Sequence, residues 1–126
     1  MHIMAKATGK KVWVFPDGEL PEPGDYEAKG HESVIIVNTS DEPAECELTV
    51  YYTDKEPISG LKTVVEPRRV RCIRMNNPKD IDGYVIPIGV QYAMKWDCSV
   101  PVVMMYGRLD TTDQPMHFYI NQAYSE

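Results

Sequence analysis

Residues 45–52, Glu-Cys-Glu-Leu-Thr-Val-Tyr-Tyr, alternate between polar and apolar types. An extended chain sends successive side chains to opposite faces, so this pattern gives a strand with one dry side and one wet side. Cys46, Leu48, Val50 and Tyr52 share the inward side, and Glu45, Glu47, Thr49 and Tyr51 share the outward one. Seven further runs have the same Val, Ile and Tyr enrichment, which suits a pleated, half-buried surface. They are KVWVF (11–15), ESVIIVN (32–38), LKTVV (61–65), RVRCIRM (69–75), YVIPIGVQYAM (84–94), VPVVMMYG (100–107) and HFYINQAY (117–124). The segments between them carry turn chemistry: PDGELPEPG, NTSDEP, KEPISG, NNPKDIDG and DTTDQP.

No segment holds a helical period over three turns, and NNPKDIDG has room for one helical turn at most. The predicted fold class is therefore all-β: a small antiparallel β-sandwich of about eight strands with little or no helix. The expected organisation is a disordered lead-in over residues 1–10 and a single sandwich domain over residues 11–126. Pro87 and Gly89 predict a bulge or an edge within 84–94. The run 100–107 is apolar on both faces, which predicts a central strand whose second face is covered by another subunit.

The 126 residues suit one core, and the 43% hydrophobic and 25% charged fractions are ordinary for a globular chain. No apolar run approaches the roughly 18 residues of a membrane helix, so no membrane insertion is expected. The lysines of the first eleven residues precede no apolar segment, so a cytoplasmic location is expected. The net charge of −6 is uneven: residues 1–66 hold 13 acids and 6 bases, while residues 67–126 hold 6 acids and 7 bases. Such an overall field repels nucleic acid, leaving only a local basic patch to bind it. Cys46, Cys72 and Cys98 are an odd set in apolar or alternating runs, which favours reduced core thiols over ligands or a disulfide framework.

Enzyme signatures are mostly absent. The chain has no G-x-S-x-G, P-loop, G-x-G-x-x-G, H-E-x-x-H or C-x-x-C. His31 and Glu32 are neighbours at a strand entrance and so point to opposite faces, which disfavours a His–Glu dyad. Nothing in the spacing of His31, His117, Asp54 and Asp110 demands convergence on a metal, so no metal and no cofactor are expected. Arg68, Arg69, Arg71 and Arg74 form a basic stripe, with Arg69 and Arg71 on one face and Arg68 and Arg74 on the other. A solvated edge strand explains the stripe more simply than an anion, protein or DNA contact.

The pieces HESVIIVN (31–38), YYTDKEP (51–57), PRR (67–69) with Arg74 and Asn76 beyond, VPVV (100–103), RLD (108–110) and AY (123–124) come in an order that resembles the soluble sensory rhodopsin transducer family. The match runs from about Trp13 to Tyr124. The resemblance implies a β-sandwich that assembles as a homotetramer and a cytoplasmic, non-enzymatic role. It implies membership of a superfamily of small-molecule-binding domains, with sugars or related metabolites as ligands. By similarity, the ligand-binding residues are Trp13, His31, Glu32, Tyr52, Asp54, Arg68, Arg108 and Asp110. The stretch 16–30 and the region 77–97 follow the family poorly.

Three functions remain in order. The first is a sensory module binding a carbohydrate-like or other polar metabolite, with Glu32 and Asp54 accepting from hydroxyls, Arg108 donating, and Trp13 or Tyr52 as an aromatic plate. The second is an adaptor that binds a protein partner, or DNA through Arg68, Arg69, Arg71 and Arg74. The third, an enzyme, lacks a visible nucleophile–base pair.

Overall fold

The alternation of residues 45–52 is realised in β3 (Ala44–Tyr52), where Cys46, Leu48 and Val50 are buried and Glu45, Glu47 and Tyr51 face water. The structure is a computed structural model that describes residues 6–112, 117–121 and 123–126. The other strands are β1 (Lys10–Glu19), β2 (His31–Asn38), β4 (Ile58–Val65), β5 (Arg69–Arg74), β6 (Gln91–Asp110), β7 (His117–Asn121) and β8 (Tyr124–Ser125). All strand pairs are antiparallel, and the one helical element is a 3-10 turn at Pro78–Ile81, capped by the Asn77 side chain. The all-β fold expected from the sequence is the fold observed. Among the described residues no helix is long and apolar enough to cross a membrane.

Two sheets share β6. Its first half lies between β1 and β3 in a sheet ordered β4-β3-β6-β1-β8; its second half lies between β2 and β7 in a sheet ordered β5-β2-β6-β7. The change of neighbours falls beside Pro101, between Cys98, the last residue paired with β3, and Val103, the first paired with β2. A proline has no N–H for a ladder, so it is tolerated where the ladder is handed over. Inward residues keep even numbers along the whole of β6: Tyr92, Met94, Trp96, Cys98, Val102, Met104 and Tyr106 are all buried. They meet Phe15, Val34, Ile36, Leu48 and Val50 from the facing strands in one core cluster. Each such side chain contributes about 1.5–3 kcal/mol by leaving water.

Several boundaries differ from expectation. Residues 84–90 are not a strand: Gly89, at φ 73°, turns the chain, and its N–H bonds Leu20 O at 2.9 Å. The expected strands 84–94 and 100–107 instead meet as β6, because Lys95, Asp97 and Ser99 are the outward half of a continuing alternation. Of the lead-in, residues 1–5 lie outside the described residues. The next residues are held rather than free: the Thr39 hydroxyl accepts from Thr8 N at 2.9 Å and donates to Lys6 O at 3.1 Å, and β1 starts at Lys10.

The Arg68–Arg74 stripe divides. Arg71 pairs with the buried Ile36 and therefore faces inward at the sheet edge. Its Nη1 donates to Thr63 Oγ1 and to Val64 O, both at 2.9 Å, and its Nη2 lies 3.7 Å from Asp80. It thus ties edge strand β5 to edge strand β4 of the other sheet. Charge-assisted hydrogen bonds of this kind are worth about 1.5–3 kcal/mol, less where water competes, so Arg71→Ala should cost about 1–2 kcal/mol. Urea unfolding measures this, and an unchanged midpoint would show that the tie contributes nothing. Arg69 is turned onto its own backbone, with Nη1 3.0 Å from Arg68 O, and Arg74 faces the outer side with Val70 and Cys72.

Candidate functional site

Glu32 lies near the start of β2 on the same face as Val34 and Ile36, and it is 0% exposed. A buried carboxylate is tolerated only if donors surround it. Tyr92 donates its hydroxyl to Oε1 at 2.8 Å, Tyr106 donates its hydroxyl to Oε2, and the Glu19 N–H donates to Oε2 at 3.0 Å. The two tyrosines come from opposite halves of β6, so the carboxylate joins both sheets. Tyr92 is held in place by Gly18, where a Cβ would sit 2.6 Å from the tyrosine ring. Burial pushes the Glu32 carboxyl above its ordinary value, against the Glu19 and Tyr92 hydrogen bonds and the nearby Arg108 charge. The Tyr92 phenol is pushed well up, first by burial and then by Glu32.

Arg108 is the cross-strand partner of Glu32, yet its guanidinium turns elsewhere. Nη1 donates to Glu19 O at 3.3 Å, and the guanidinium carbon lies 4.7 Å from the centre of the Tyr119 ring. Asp110 accepts from the Thr112 hydroxyl at 2.6 Å and the Thr112 N–H at 2.9 Å, which lowers its carboxyl below the usual range. His117 pairs with Asp110 across the ladder and stacks on Tyr119 at 6.3 Å. Arg108, Asp110, His117 and Tyr119 thus extend the Glu32 face into solvent.

On the other side of Tyr92 a groove of about 170 Å³ is lined by Pro16, Tyr51, Tyr52, Thr53, Gln91, Tyr92 and Ala93. Tyr52 pairs with Tyr92 across β3 and β6, shares a hydroxyl–hydroxyl bond with Tyr84, and carries Lys55 Nζ 4.2 Å from its ring centre. Burial, then Tyr84, raises the Tyr52 phenol.

The eight residues named from the family resemblance therefore do not form one pocket. Glu32, Tyr52 and Arg108 gather around Tyr92, with Asp110 beside them. His31 faces the outer side opposite Leu109, with Nδ1 2.8 Å from Lys29 O. Asp54 is exposed in the turn after β3. Trp13 is half-buried against the core, its indole N–H shared between Lys10 O at 3.0 Å and Val102 O at 3.2 Å. Arg68 is exposed at the far end of β2, in a left-handed turn (φ 56°) whose N–H bonds Ser40 O. Among the described residues no group of three His, Cys, Asp or Glu converges as for a metal. Tyr92 and Tyr106 were not singled out as partners of Glu32; the signal available was their inward parity on β6.

The outer face of the second sheet is apolar across three strands. Val70, Val37 and Val103 align in one row, and Cys72, Ile35 and Met105 in the next. Val70 is 65% exposed and Met105 42%.

The molecule is thus a small all-β sandwich with a carboxylate sealed between its sheets, a tyrosine groove at one end and an apolar outer face. The chain belongs to the Anabaena sensory rhodopsin transducer family, which it matches over residues 8–125. It is similar to the crystal structure of Thermotoga maritima 1070, with 30% identity over 94% of this chain and 96% of that one and a TM-score of 0.78. It is likewise similar to the Anabaena sensory rhodopsin transducer itself, with 34% identity over 84% of this chain and 93% of that one and a TM-score of 0.74. No curated protein matches the chain.

Proposed function

We propose that this chain is a non-enzymatic, cytoplasmic sensory module. It binds a small polar, carbohydrate-like molecule in the Tyr51–Tyr52–Tyr92 groove and passes occupancy on through a homotetramer of like subunits. The observation that carries this reading is the position of Tyr92, which borders the groove from the core side, 1% exposed, while its hydroxyl holds Glu32 on β2. The outward side chains of β2, Ile35 and Val37, belong to the apolar face. A ligand that shifts Tyr92 therefore acts on the strand that presents that face, and it biases the assembly by its differential affinity for the two arrangements. The relative named as a sensory rhodopsin transducer supports a signalling role. At about 170 Å³ the groove is smaller than the roughly 300 Å³ that a drug-sized ligand needs, which suits a metabolite lying against tyrosine rings.

A thermal-shift screen of sugars and sugar acids at millimolar concentration tests the reading. A ligand at a hundred times its Kd adds about 2.7 kcal/mol, a rise of several degrees for a chain of this size. Gln91→Ala, an exposed groove position, should remove that rise without changing the unliganded midpoint. A folded protein that shifts with no member of the screen would sink the ligand reading.

A further inference from the structure

Cys46 and Cys98 are direct cross-strand partners on β3 and β6. Both side chains lie on the inner face of the first sheet, 1% and 7% exposed. We propose that this pair is an oxidation site, which a peroxide-class two-electron oxidant closes into a disulfide clamping β3 to β6.

The geometry is favourable before any reaction. Opposed residues of an antiparallel pair have Cα atoms about 4.5 or 5.5 Å apart, and both values fall inside the roughly 4.4–6.8 Å that a disulfide spans. No register shift is therefore required. The Cys46 thiol donates to Ala44 O at 3.9 Å, and its neighbour Cys98 lowers it while the Cys98 thiol is raised. Cys46 is thus the better nucleophile. Both sulfurs point into the core, away from the groove that Glu45, Glu47, Lys62, Asp97 and Ser99 line on the outer face, so an oxidant scarcely larger than water reaches them through local opening of the sheet. Cys72 is set apart, exposed on the outer face of the other sheet.

The chemistry balances. The Cys46 thiolate attacks one peroxide oxygen, the O–O bond breaks, and a sulfenic acid forms as the first water leaves. Cys98 then attacks the Cys46 sulfur, the S–O bond breaks, and the second water leaves with the Cys98 proton. Two thiols lose two electrons and two protons, and one peroxide becomes two waters. The clamp sits at one end of a file of inward pairs, Cys46–Cys98, Leu48–Trp96, Val50–Met94 and Tyr52–Tyr92, so it braces the ladder that carries the tyrosine groove at its other end.

The test uses the full chain with Cys72→Ser, treated with hydrogen peroxide at low molar excess. The expected product has lost two hydrogens and yields a peptide joining Cys46 to Cys98 on non-reducing digestion. Closing a loop of this length should raise Tm by about 5–15 °C, reversibly with dithiothreitol. Adding Cys98→Ala should abolish both the joined peptide and the rise; should that variant not fold, the joined peptide in the Cys72→Ser chain decides alone. The proposal is overturned if both thiols remain alkylatable after unfolding, or if oxidation gives only sulfinic or sulfonic acids with a lower Tm.

Discussion

Glu32→Ala is expected to lower stability by about 3–5 kcal/mol, because three buried donors lose their acceptor at once and each unsatisfied group costs about 1–3 kcal/mol. The donors are the hydroxyls of Tyr92 and Tyr106 and the Glu19 N–H. The tyrosines reach the carboxylate from both halves of β6, so the loss loosens the contact between the sheets as well as one side chain. Urea unfolding followed by circular dichroism measures it, and a loss below about 1 kcal/mol would contradict the arrangement. Glu32→Gln keeps an acceptor and should cost less.

The pH dependence of that second variant has a definite sign. Burial raises the Glu32 carboxyl in the folded chain above its ordinary value of 4.5. The stability it contributes is therefore fully present below that ordinary value and is lost as pH rises through the raised one. The advantage of the native chain over Glu32→Gln should be largest in mild acid and shrink toward neutral pH. A difference that does not change with pH would show that Glu32 does not titrate in this way.

If the proposed homotetramer is built on the apolar outer face, Met105→Lys is expected to leave single chains, about a fourfold fall in mass by light scattering. The side chain points away from the core, so the variant should keep the native circular dichroism and a similar midpoint as a monomer. The reasoning is the size and shape of the surface. Val37, Val70, Val103, Ile35 and Met105 form a continuous apolar sheet face, and monomers seldom leave such patches bare. A buried lysine ammonium without a partner at the centre of the contact costs several kcal/mol per chain. A native protein that already runs as a monomer would remove the assembly from the proposed function.

Residues 45–52 gave both the strand and its inward face, because alternation depends only on near neighbours. In 31–38 the same rule separated Glu32 from His31 but did not name the dry side, because Val34, Ile35, Ile36 and Val37 are apolar on both faces. What the sequence concealed was the company Glu32 keeps, since Tyr92 and Tyr106 lie far along the chain. Parity likewise grouped Arg69 with Arg71 but did not say that their face turns inward. The break expected after Met94 came from the polar residues Lys95, Asp97 and Ser99, which are the wet half of β6 rather than a loop. Family resemblance gathered Trp13, Arg68 and Asp54 into one site, whereas the register puts them at mid-strand, at the far end of β2 and in the turn after β3.

The sharing of β6 between both sheets also governs how the chain acquires its structure. Every sheet needs this strand as its interior member, and its partners β1, β2 and β3 are made long before it. A nascent chain that ends before residue 91 holds hairpins with no centre, and neither half can close on the ribosome. Folding must then wait for contacts between distant segments, which places it among the slow, millisecond-to-second topologies. During that wait the apolar edges of β1, β2 and β3 stand open to other chains, so synthesis is the stage at which this protein is most exposed to aggregation.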